Sequence, residues 1–185
     1  KTTATIRQPG IHAEMIAPAG SAQAAGETVS ASTKVTPNGG KLFKKRKVAS
    51  NLTVSATVTP GTGQAEVSPT KVINLKFPAG VTLKPNRNVC SDKKLNSGSA
   101  LGSPKTVVAS CKKAVVGTGT ALIYLSKLTA SPLNDPVLVA FNAGKNSKGQ
   151  PKLKIYGYSK TTGVGILMEA ALKGRSLSIS VPVLS

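Results

Sequence analysis

Apolar and polar residues alternate along much of this chain, and the alternation predicts its elements. Residues 52–58, 73–77 and 177–183 alternate Leu, Ile, Val, Ala or Phe with mostly polar residues. A period of two is that of a strand with one buried and one wet face. Turn residues such as Pro60-Gly61 end these runs. We predict roughly eight to ten strands joined by evenly spaced turns, which is typical of a β-sandwich or a barrel.

Two further segments refine this prediction. Residues 163–172 contain good helix formers, but their apolar positions also fit a period of two. We favour a strand there, because strands surround the segment and short apolar runs do not distinguish the two structures by period alone. Residues 114–125 also read as a strand, in which Gly117 and Gly119 indicate a bulge or a close backbone contact.

Residues 1 to about 40 are of low complexity, rich in Ala, Thr, Gly and Ser. Within this segment Val29, Ala31, Thr33 and Val35 alternate with polar residues. We predict that these four residues add a strand to a sheet, either in their own chain or in a neighbouring subunit. The predicted organisation is an extension at 1–33 followed by a single immunoglobulin-like all-β sandwich at 34–185.

Two cysteines, Cys90 and Cys111, bracket a stretch rich in Ser, Gly, Lys and Asn. In a lysine-rich exported chain this spacing favours a disulfide, whereas two free thiols are the alternative for a cytosolic protein. The sequence begins at Lys1, with neither Met nor a signal peptide, as expected for a processed secreted chain. We therefore expect an extracellular or cell-surface protein.

Charge is the largest departure from ordinary composition. The chain has 25 Lys and Arg against 6 Asp and Glu, a formal net charge of +19. Such a field attracts polyanions. The candidate polyanion-binding residues are Lys44, Lys45, Arg46, Lys47, Lys112, Lys113, Lys152 and Lys154. The lysines are spread over every segment, however, which is equally typical of a general charged coat. Tyr156 and Tyr158 beside two of them are either a stacking platform for single strands or ordinary tyrosines on a wet sheet face.

The composition argues against an enzyme. The six acids are scattered, the only histidine is His12, and no serine lies in a Gly-x-Ser-x-Gly motif. We expect no catalytic residue, no cofactor and no metal site. Glu169 lies within an apolar run; beside a Lys and an Asn it would suit an internal isopeptide bond, whereas an exposed glutamate on an edge strand is the simpler interpretation. No run of eighteen apolar residues exists to span a membrane.

Residues 34–185 resemble a family of uncharacterised secreted proteins of Solirubrobacter-type soil actinobacteria. The matching segments lie in order along the chain: Val35-Thr36-Pro37, the basic run 44–47, the strands at 52–58 and 73–77, Cys90, residues 111–121 with their Gly-Thr-Gly-Thr sequence, Val139-Ala140-Phe141-Asn142, and residues 174–182. The resemblance implies export and an all-β domain. It implies no activity, cofactor or catalytic residue.

These observations favour a non-enzymatic secreted or cell-surface structural protein, whose subunits join by β-strand addition into a homo-oligomer or an extracellular filament. The alternative is a cationic binding module for acidic polymers such as cell-wall polysaccharide, teichoic acid or nucleic acid.

Overall fold

The computed structural model describes residues 3–6, 14–15, 27–41, 48–63, 67, 70–77, 82–84, 88–95, 103–122 and 133–182. The chain divides into two compact units. The first unit comprises Lys1–Pro85 with Leu172–Val183, and the second comprises Asn86–Ala171 with Leu184–Ser185.

Strands dominate the described residues. They are β1 (Thr3–Ile6), β2 (Glu14–Met15), β3 (Thr28–Pro37), β4 (Val48–Thr59), β5 (Val72–Lys76), β6 (Thr82–Lys84), β7 (Val115–Thr120), β8 (Val137–Lys145), β9 (Pro151–Tyr158), β10 (Gly165–Lys173) and β11 (Ser176–Ser180). Two short helices, α1 (Asp92–Leu95) and α2 (Pro104–Cys111), and a 3₁₀ turn at Lys112–Ala114 complete the described elements.

Two antiparallel sheets face each other in the first unit. One has the strand order β3-β4-β1-β6, and the other contains β2, β5 and β11. Leu75 and Phe77 are buried between them. The half-buried side chains packed on this pair come from both sheets: Val35, Leu52, Val54, Ile73 and Leu177. The sequence prediction of an all-β sandwich built from antiparallel sheets is therefore confirmed.

Strand β3 runs across the predicted boundary between residues 33 and 34, so the extension and the domain that follows share one strand. Its partner is β4 of the same chain, over the whole of Thr28–Pro37. The predicted alternation at 52–58 is borne out within β4, where Leu52 and Val54 turn toward the core of the unit.

The second unit contains the helices α1 and α2, the strands β7, β8 and β9, and β10 as far as Ala171, with each strand antiparallel to the next. Residues from α1, α2 and the sheet form its core around the fully buried Phe141. The register breaks between Val115 and Gly117, which is the irregularity that the two glycines of β7 predicted. Residues 165–173 form the strand β10, as favoured over a helix.

No helix was predicted between the two cysteines, where the structure has α2. Pro104 occupies the first helical turn, where its missing N–H costs nothing. Val107 and Cys111, four residues apart, lie on one face and are buried. The Ser103-Pro104 start and this spacing are the signals from which the helix was predictable.

Candidate functional site

Residues 88–95 are fastened to the sheet of the second unit at several points. Cys90 forms a disulfide with Cys111, as predicted from the spacing. The Cys90 N–H donates to the carbonyl oxygen of Asn142 at 2.8 Å, and the Asn142 side-chain amide donates to the carbonyl of Asn88 at 2.8 Å. The start of α1 is thereby held at the end of β8.

The carboxylate of Asp92 in α1 joins two lysines of β9. Nζ of Lys152 lies 2.9 Å from Oδ2 and 3.2 Å from Oδ1, and Nζ of Lys154 lies 3.2 Å from Oδ1. Glu169 of β10 lies directly across from Lys154, with its Oε1 3.6 Å from Nζ. The side chain of Lys154 is only 3% exposed. A buried ammonium requires such partners, because losing its water without compensation is costly.

This structure removes Lys154 from the candidate polyanion-binding residues, since its ammonium is buried and ion-paired rather than presented to a polymer. Lys152 is partly exposed and bound to Asp92. Lys112 and Lys113 are exposed at the 3₁₀ turn. Residues 44–47 lie outside the described residues.

The two tyrosines form no open platform. Tyr156 is 1% exposed and belongs to the core, although its ring stacks on that of Tyr158 with centroids 6.4 Å apart. Burial raises the pKa of the Tyr156 hydroxyl. A base therefore has no access to the face of Tyr156, and the stacking interpretation is wrong for this residue.

The charged cluster does not match the predicted isopeptide site, which required a buried Glu169 beside a Lys and an Asn. The ammonium group of Lys154 pairs instead with the carboxylate of Asp92. Hydrogen bonds from Lys152 hold the pKa of Asp92 below its ordinary value, and half of this carboxylate faces water. Glu169 is 66% exposed, as the simpler interpretation predicted, but its strand β10 lies between two other strands and is not an edge strand. The cluster is therefore an ion-pair network.

Low pH should destabilise the second unit, because two of its carboxylates become protonated. The pKa of Asp92 is lowered chiefly by the hydrogen bond from Lys152, and that of Asp135 chiefly by the backbone N–H of Thr161, with Ser159 adding a further bond. A pKa that is lower in the folded than in the unfolded chain contributes stability above the unfolded value and loses it as the pH falls through the folded value. We expect the free energy of unfolding to decline below about pH 4.

Urea unfolding at a series of pH values measures this decline. The variant Asp92→Asn/Asp135→Asn should show a flatter dependence on pH, and each single variant should lie between it and the parent. An unchanged slope in the double variant would contradict the assignment.

Other exposed lysines lie on the segments joined to this cluster. Lys112 and Lys113 were predicted from the sequence, whereas Lys93, Lys94, Lys145 and Lys148 were not. Lys93 and Lys94 are on α1 beside Asp92, and the disulfide places the Lys112-Lys113 pair close to the start of that helix. At the β8–β9 turn, Lys145 pairs with Pro151, the neighbour of Lys152. We define the lysine corner as six exposed residues: Lys93, Lys94, Lys112, Lys113, Lys145 and Lys148. The predicted disulfide could have indicated this arrangement, because it joins the segments that carry the pairs Lys93-Lys94 and Lys112-Lys113.

The candidate strand-addition residues are all in β3. Val29, Ala31, Thr33 and Val35 pair with Val58, Ala56, Val54 and Leu52 of β4, respectively. The predicted strand is thus present and pairs within its own chain. In the described part of the chain, β3 is also the last strand of its sheet.

Comparisons with family models, curated proteins and solved structures give no match to this chain. The resemblance to the actinobacterial family stays a prediction. Among the residues that the structure describes, no three His, Cys, Asp or Glu side chains are grouped to hold a metal ion, and no helix is long and apolar enough to cross a membrane.

Proposed function

We propose that this protein is a non-enzymatic extracellular structural protein whose copies associate along the outer edge of β3. The observation that carries the proposal is the position and composition of this strand. It is ten residues long, lies at the end of its sheet order, and contains one charged residue, Lys34. A long edge strand with few charges is a template for pairing with another chain. The disulfide supports an oxidising, extracellular compartment.

The distal half of the β3–β4 hairpin adds apolar surface to this edge. Val35, Leu52 and Val54 pack on the core of the first unit, but Val29, Ala31 and Ala56 on the same face are exposed. Because β3 already pairs with β4 within the chain, it acts in this proposal as the strand that receives a neighbour rather than as a donated arm.

New charges on the β3 edge should abolish the association. Ser30 and Ser32 are exposed and share a face with Lys34. In Ser30→Lys/Ser32→Lys, like charges would oppose one another wherever two edges meet, which destabilises pairing. We expect the parent to sediment as oligomers or polymers and this variant to sediment as a monomer. Electron microscopy should show regular assemblies of the parent only.

The matched control is Asn134→Lys/Ser147→Lys, which adds the same charge at exposed positions outside the strands. It should assemble like the parent. Assembly should also strengthen as salt rises, because a chain of net charge +19 repels its own copies. Monomeric parent protein at both low and high salt, or a Ser30→Lys/Ser32→Lys variant that still assembles, would exclude the proposal.

A second proposed function, binding of acidic polymers, is favoured by the lysine corner. This corner combines six exposed lysines with an aspartate whose charge is already shared between Lys152 and Lys154. Polymer binding of this kind must weaken as salt rises, which is opposite to the salt response of self-association. The two functions are compatible in one cationic assembly.

A further inference from the structure

We propose that the lysine corner binds the backbone of a linear phosphodiester polymer, the chemistry shared by glycerol-phosphate wall polymers and single-stranded nucleic acid. The proposal rests on the second proposed function and gives it a place and a ligand class. It concerns only the second unit.

The fold brings the six lysines to one end of the second unit. Val115, Phe141 and Lys154 are consecutive partners across β7, β8 and β9, so about 10 Å separates the outer two backbones. Lys112 and Lys113 immediately precede Val115. At the β8–β9 end, a Cβ placed on Gly144 would lie 3.4 Å from Cγ1 of Val89, so Lys145 begins beside the segment that carries α1.

The anchoring of α1 makes this arrangement durable. Three contacts hold this helix and the residues just before it: the disulfide, the Cys90–Asn142 backbone hydrogen bond and the Asp92–Lys152 ion pair. Lys93 and Lys94 therefore project from a fixed backbone. Because this backbone is already ordered by folding, binding costs it little conformational entropy, whereas a disordered basic tail would lose entropy when it binds.

The electrostatics of the corner are strongly one-sided. Asp92 is the one acid that the structure places at the base of the corner, and it is shared between Lys152 and Lys154. The two other described acids of this unit are Glu169, which lies beside Lys154, and Asp135, which accepts hydrogen bonds from Ser159 and Thr161. The potential around these six exposed lysines is therefore positive, and it extends about a Debye length, roughly 10 Å, at moderate salt.

The residue types suit phosphodiesters bound through charge alone. Lysine binds phosphate as a compact point charge, whereas the planar fork of arginine gives bidentate recognition of phosphates and carboxylates alike. Within the described residues 88–95, 103–122 and 133–171 there is no arginine. A lysine surface of this kind follows a charged backbone without reading its side groups, so binding should be insensitive to sequence.

The dependence of the binding constant on salt concentration measures how many phosphates the lysines neutralise. For a single-stranded polyanion, log K falls with log salt with a slope of about −0.7 per neutralised phosphate. Six contacts give a slope of about −4, and each contact is worth about fivefold in affinity at about 0.1 M salt. We expect a glycerol-phosphate polymer and a single-stranded DNA of mixed sequence to bind the parent with slopes of this order.

The deciding variant is Lys93→Gln/Lys94→Gln/Lys112→Gln/Lys113→Gln, titrated with both polymers by fluorescence anisotropy. It should weaken binding roughly a hundredfold or more at about 0.1 M salt and reduce the slope by about 3. The matched control is Lys34→Gln/Lys71→Gln/Lys76→Gln/Lys84→Gln, which removes four exposed lysines of the first unit. It should weaken binding less than about tenfold, through net charge alone.

The outcomes distinguish failure of the proposed binding site, the lysine corner, from failure of the proposed function, polyanion binding. Equal losses in the two variants would overturn the corner but leave polyanion binding in place, whereas a parent that binds neither polymer at low salt would overturn both. Tighter binding of polygalacturonate than of the phosphodiesters would overturn the ligand class. If one phosphodiester alone binds, that polymer is the source of the ligand. The variant Lys145→Gln/Lys148→Gln changes only the end of a hairpin and should weaken binding about twentyfold. It tests the lysine corner if the variant with four substitutions fails to fold.

Discussion

Phe141→Ala is expected to destabilise the second unit by about 3–5 kcal/mol. Phe141 is 0% exposed and lies in the cluster formed by α1, α2 and the sheet. Alanine would remove its transfer free energy and leave a cavity that the disulfide-linked helices cannot fill by collapse. All three tyrosines of the chain lie within residues 86–171, and there is no Trp. Tyrosine fluorescence during urea unfolding therefore reports on this unit specifically.

The control for this prediction is Val137→Ala, which shortens a side chain of the same strand that is 37% exposed. It should cost less than about 1.5 kcal/mol, because less apolar surface is removed and water already reaches the site. Equal effects of the two substitutions would mean that Phe141 is not part of a packed core.

Removal of the disulfide should have the second large effect. Cys90→Ala/Cys111→Ala releases a loop of sequence separation 21, which corresponds to about 3 kcal/mol in the chain-entropy model. Both cysteines are buried in the same core as Phe141, so the loss should appear in the tyrosine signal. Reduction of the parent protein should lower the urea midpoint to a similar extent.

The double-alanine variant provides its own control, since a reducing agent should not alter its unfolding. If reduction left the parent midpoint unchanged, the bond would be absent in solution. The disulfide also positions two lysine pairs of the corner. We therefore expect reduced protein to bind a phosphodiester polymer more weakly than oxidised protein, at a urea-free condition where the sheet remains folded.

The strands of this protein were accessible from local pattern. Alternation at 52–58, 73–77 and 177–183 places successive side chains on opposite faces of a strand, so it predicts β4, β5 and β11 without knowledge of their partners. The last of these strands ends earlier than predicted, at Ser180. The same reasoning identified β10, because a period of two also fits its residues. The extra residue at the start of β7 follows from its glycines, which tolerate an irregular backbone.

The roles of particular side chains depended on which strands and helices became neighbours. The sequence predicted Tyr156 and Tyr158 to be a stacking platform or ordinary tyrosines on a wet sheet face, but α1 and α2 cover Tyr156, and Lys154 is buried. No local pattern shows that Asp92, sixty residues earlier, reaches Lys152 and makes burial of Lys154 tolerable. The sequence predicted Tyr156 and Lys154 to be at the surface, whereas the tertiary structure buries both side chains.

Composition and spacing alone determined the strand-rich class, the basic character and the pairing of Cys90 with Cys111, because these depend on residue type and period. The tertiary structure decided that β3 pairs with its own β4 and that α1 is held to the sheet by an ion pair. Those features are contacts between residues distant in the sequence, and their free energy depends on the shared burial and charge that only the assembled elements create.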